Sequence, residues 1–399
     1  MKKFATIVGT AALFGAAMLP ALATGNNCSN DTTGPFSNNT CTVNNTSNVQ
    51  VSNYNDAKIT NDVESNVNTG HNSASYNTLG GDIVTGNATS NTVVSTVANI
   101  NTTNVVGGAA AGPNTGSNHI TGPGSIWGGS DGNNAVYINN DQNVNVDNQN
   151  TAVVYNDVDA SSNTGYNRAK ANTGPAFIKS GNGVLGVTVG THVNDNWTQV
   201  TTGAGSTGGN TAGNSITGPF SDNIVTLNNS SDISVRNYND MFVKNDVDAS
   251  VETGDNKASY NTLGGDIITG GARGIVGVNT EGNINTTSVQ QALGGFANNG
   301  NNSTTGPGSE NNTYVNNDQI ISVDNANNKC WSHNADSINW GRNCYPWDLG
   351  VENFVDASSE TGDNRANGNT AGGFVNATLA DLWQSVVTHI NDTMTTVTQ

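Results

Sequence analysis

Three times the chain sets a pair of acids around a valine: Asn61-Asp62-Val63-Glu64, Asn156-Asp157-Val158-Asp159 and Asn245-Asp246-Val247-Asp248. On a strand, alternate residues share a face, so the two acids of each pair stand about 7 Å apart. Asp62, Glu64, Asp157, Asp159, Asp246 and Asp248 are therefore candidate ligands for a hard cation, and calcium suits carboxylate and amide oxygens. The plainer reading is a solvated acidic face that keeps strand edges from pairing with other chains. No cofactor is required on either reading.

A second candidate lies near the C-terminus. Trp331, Trp340, Tyr345 and Trp347 crowd into an insertion at 328–348 that Cys330 and Cys344 bracket. Aromatics on a stapled loop suit sugar stacking or partner docking, and equally a small apolar cap. The other two cysteines, Cys28 and Cys41, are also close in sequence. Both pairs read as disulfides, because neither has metal-type spacing. No zinc-helix motif or phosphate loop is present, and the five histidines share no repeat position. Acids that recur in every unit also fit poorly with a single active site, so no catalytic residue is assigned and the chain does not read as an enzyme.

The elements that must carry these residues are repeats. Residues 33–105 align without a gap onto 217–289, with 43 of 73 positions identical. A Thr-Gly-Pro sequence begins at Thr33, Thr121, Thr217 and Thr305. Residues 1–23 read as an export signal: Lys2 and Lys3, an apolar stretch, then Ala21-Leu22-Ala23. The division expected is this leader, then units at 24–120, 121–216, 217–304 and 305–399. Repetition on this scale builds rods and arrays.

Composition bounds the rest. The formal charge is −18, and a chain this acidic is a poor partner for nucleic acid. No segment beyond the leader is apolar enough to span a bilayer. Asparagine is the outlier, with 70 of 399 residues, beside 48 glycines. Valine and isoleucine recur in short alternating runs, which predicts strands. In the third unit these fall at 224–227, 233–236, 241–244, 247–251 and 266–269, with Asn-Asn, Asn-Asp and Gly-Gly between them as turns. Residues 377–390 read either as an amphipathic helix or, by comparison with the first unit, as strand.

The most regular motif is TGxNxAxxNT, at 69–78, 164–173, 253–262 and 361–370, and in two units TG returns 16 residues later. That spacing predicts coils of about 16–20 residues, four or five to a unit, and a rod on the order of 100 Å long. Interior asparagines would then stack in hydrogen-bonded ladders. The competing architecture is four tandem small β-sandwiches. The run Gly-x-x-Asn-x-Ala in this motif resembles the coil motif of curlin-type fibre subunits, with Thr and Asn where that family carries Gln. The resemblance implies exported β-repeat proteins that polymerise by strand stacking.

These readings converge on an all-β, parallel β-solenoid-like rod of four repeat units. The function expected is that of a structural subunit of an extracellular filament or surface layer, with itself as main partner. The alternative is a secreted monomeric adhesin that binds a glycan or cell-surface partner through the aromatic loop.

Overall fold

The structure is a computed structural model and describes residues 3–8, 13–18, 26–106, 114–123, 132–202, 210–291, 299–327 and 350–398. All regular structure among them is β, and every strand pairing is parallel. The repeat-solenoid expectation therefore holds, but the coil is far larger than the 16-residue spacing predicts. Each unit makes one circuit, not four or five. Asn39 sits beside Asn134, Asn134 beside Asn223, and Asn223 beside Asn311. The chain is thus four stacked layers, each about 90 residues around.

A layer has the same plan each time. A short entry strand (Asn27–Asp31 in layer 1, Thr115–Thr121 in layer 2, Thr211–Thr217 in layer 3, Asn299–Thr305 in layer 4) runs into the Thr-Gly-Pro bend. A long outbound strand follows: Asn39–Asn68, Asn133–Asn163, Asp222–Glu252, and in layer 4 Glu310–Asn327 with Gly350–Glu360. A tip loop then turns the chain into the return strand: Ala88–Val106, Gly183–Thr202, Ala272–Gln291, and in layer 4 Ala380–Ile390 with Thr393–Thr398. Residues 377–390 thus resolve as strand rather than helix. Four layers at about 4.8 Å make a stack about 19 Å high, whereas a 31-residue outbound strand runs about 100 Å. The long dimension lies across the stack, not along it.

Outbound and return strands form two sheets whose inner faces pack together. In the outbound strand of layer 3, every odd-numbered residue from Asn223 to Val251 is buried. Val51, Val144, Val146, Ile233 and Val235 meet Val105, Val200 and Val289 of the return sheet. This is not a string of sandwiches, because each sheet is shared by all four units. Four of the short strands predicted for the third unit, at 224–227, 233–236, 241–244 and 247–251, fuse into one, while the fifth, at 266–269, stands as a separate strand, Gly265–Thr269. Asn228, Asn229 and Asn239 were expected in turns, but their side chains bond to neighbouring layers and the backbone stays extended.

The TGxNxAxxNT motif builds the tip. Thr69 donates its hydroxyl to the carbonyl of Gly86, as do Thr164 to Gly181, Thr253 to Gly270 and Thr361 to Thr378. These bonds close the neck of the loop, so the 16-residue spacing measures a loop within one layer. Ala169 and Ala258 are buried there, packed with Ile83, Ile178 and Ile267. Below layer 1, Lys3–Val8 and Leu13–Met18 pair in parallel with Ala88–Val106 and form the outer edge of the return sheet.

Candidate assembly surfaces

Asparagines hold the layers in register. Asn53, Asn148, Asn237 and Asn325 form one ladder, with Nδ2 of each donating to Oδ1 of the next at 2.7 Å. Asn61, Asn156, Asn245 and Asn353 form another at 2.6–2.7 Å. The ladders also bridge the two sheets. Asn196 Oδ1 accepts from Asn101 at 2.9 Å and Asn150 at 2.9 Å, while its Nδ2 donates to Asn239 at 2.7 Å and Asn285 at 3.0 Å. One carboxamide thereby uses two donors and two acceptor positions, its full capacity. Asn196 is wholly buried, and a buried amide left short of partners costs about 1–3 kcal/mol. A strand register shifted by one residue would break these bonds all along the sheet.

The ladders have a direction. In the tip, the backbone N–H of Asn72 donates to Asn167 Oδ1 at 3.1 Å, that of Asn167 to Asn256 Oδ1 at 3.1 Å, and that of Asn256 to Asn364 Oδ1 at 3.2 Å. Asn77, Asn172, Asn261 and Asn369 repeat this at 2.9, 3.0 and 2.8 Å. In these two ladders donors lie in the lower layer and accepting oxygens in the upper, whereas Asn87, Asn182 and Gly271 form a ladder of the opposite sense, with the N–H of Asn182 donating to Asn87 Oδ1 and that of Gly271 to Asn182 Oδ1. Since a backbone nitrogen can only donate, the sense of these two ladders does not depend on how each amide is oriented.

The two ends of the stack are its open strand edges. Apolar side chains whose register partners in layer 3 are buried stand exposed in layer 4: Val315 above Leu227, Val386 above Val278 and Val397 above Val289. At the opposite end, the lower edge of the return sheet carries Lys3–Val8 and Leu13–Met18.

The acids of the sequence motif are brought into columns. Asp62, Asp157 and Asp246 stack, continued by Phe354, while Glu64, Asp159 and Asp248 stack and continue with Asp356. The second column lines a shallow groove of about 340 Å³ on the outer face. Burial, followed by the charges of Asp159, Asp246 and Asp356, holds Asp248 above the ordinary carboxylate value. Among the described residues, no group of three His, Cys, Asp or Glu side chains is arranged to hold a metal ion.

Cys28 and Cys41 are joined and tie the entry strand of layer 1 to its outbound strand. Cys330, Cys344, Trp331, Trp340, Tyr345 and Trp347 lie outside the described residues. Sequence reasoning anticipated asparagine ladders but not their sense, because direction depends on which layer lies above which. It also missed the glycine columns of the tip and bend, where a Cβ on Gly254 would come within 2.1 Å of the Gly362 carbonyl oxygen. The signal was present in the Thr-Gly pairs, which recur four times in the tip motif and four times at the bend.

Among the described residues, no helix is long and apolar enough to cross a membrane. No protein-family model, no curated protein and no solved structure matches this chain.

Proposed function

We propose that the chain is a structural subunit of an extracellular filament, exported by residues 1–23 and assembled through its strand edges. The observation that carries this reading is the interchangeability of the layers. Four circuits stack in register through the same asparagine columns, and both ends stop on strands that resemble the interior ones. An unpaired parallel edge with matching columns is a template for another chain. The lower edge of the return sheet already accepts two parallel strands from the leader segment, so loss of that segment frees a seat of the right length and direction.

Electron microscopy of the secreted chain, freed of its leader and with disulfides intact, tests the reading. Filaments are the expected result. Isolated particles one chain thick, at concentrations well above those in secretion, would refute it and turn attention to glycan binding by the aromatic insertion.

A further inference from the structure

We propose that copies of this chain join only top to bottom, with layer 4 of one copy seated beneath layer 1 of the next, giving a polar stack. This inference rests on the filament reading and specifies its contact.

Three observations carry it. The tip ladders end differently at the two ends: accepting oxygens of Asn72 and Asn77 at the bottom, and N–H groups of Asn364 and Asn369 at the top. Top against bottom sets donors on acceptors, as at every internal rung. Top against top would set donors on donors and reverse the strand direction between chains, whereas every internal pairing is parallel.

The second observation is a glycine column in the tip. An added Cβ would meet the carbonyl oxygen of the layer above at 2.0 Å for Gly70, 2.1 Å for Gly165 and 2.1 Å for Gly254, but at Gly362 it meets nothing within 4 Å. The third is the mirror case in the Thr-Gly-Pro bend. There the Cβ points down, 2.3 Å from the Gly34 carbonyl oxygen for Gly122 and 2.4 and 2.3 Å from a proline nitrogen for Gly218 and Gly306, while Gly34 itself is open. Gly362 and Gly34 are the two members of these columns with nothing against them in a single chain. Both also keep the small residue that close stacking demands. A second copy stacked top to bottom puts its Gly70 carbonyl over Gly362 and its Gly306-Pro307 segment under Gly34.

Two variants that leave the single chain undisturbed therefore block opposite ends. Gly362→Ala closes the top and Gly34→Ala closes the bottom, and each should melt as the leader-free parent does in its monomeric fraction. The masses of each alone and of an equimolar mixture are measured by analytical ultracentrifugation. The expected result is one-chain mass for each variant alone and two-chain mass for the mixture, in which the open top of Gly34→Ala meets the open bottom of Gly362→Ala. If the parent forms filaments but either variant alone dimerises or polymerises, the polar contact is wrong while the filament reading stands. If the parent and the mixture both stay at one-chain mass, the filament reading fails and takes this inference with it.

Discussion

Layers 3 and 4 carry nearly the same pattern and meet different environments. Leu227 in layer 3 is fully buried, whereas its neighbour in register, Val315 in layer 4, is 48 % exposed. Gly254 is pressed against a carbonyl and Gly362 is open. Asn196 has four amide partners, while Asn327, at the top of the same network, accepts from Asn285 and donates a long 3.4 Å bond to Thr393. Burial in this molecule comes from the layer above and the layer below. An end layer is the cut face of a structure that could continue.

The comparison is broken most severely by removing an interior amide. Asn196→Ala leaves Asn101, Asn150, Asn239 and Asn285 each one bond short, and should cost about 3 kcal/mol or more in chemical denaturation. Asn327→Ala, at the end, should cost about 1 kcal/mol. Equal losses would mean that the additional amide partners of Asn196 contribute nothing to stability.

Next in size is the glycine column. Gly254→Ala should destabilise the chain by about 1–3 kcal/mol, because the backbone of layer 4 must move aside, whereas Gly362→Ala should leave the melting of the single chain unchanged. An equal effect of both would show that the tip is loosely stacked.

The smallest expected effect is on pH dependence. Burial raises Asp240, on the layer 3 outbound strand, to about 6. A carboxyl raised in the fold holds its proton to higher pH than in the unfolded chain, so stability falls as pH rises from about 4 through 6. Melting of the parent should therefore be higher at pH 4.5 than at pH 7 through this group, and Asp240→Asn should flatten that slope. Asp56 holds the same column in layer 1 and is exposed.

Much of the fold was legible in the chain. The recurring Thr-Gly-Pro starts marked the units, period-two alternation identified strands, and the excess of asparagine implied ladders. Circuit size was misread because Thr69 and Gly86 look like successive corners of a small coil, and only their hydrogen bond shows them closing one loop. The Asn-Asn pairs were misread as turns because local propensity favours turns, while stacking in register gives each amide a partner and removes the reason to bend.

By itself, the sequence determined that one unit is made four times, that its strands have one inward face, and that the interior is bonded by amides as well as packed by valines. The tertiary structure alone decided that each unit closes after a single circuit, and that each ladder keeps one sense from layer to layer. Repetition specifies which residues are equivalent, but equivalence carries no direction. Direction arises only when parallel strands stack, because a backbone N–H in one layer can reach the oxygen of just one neighbour.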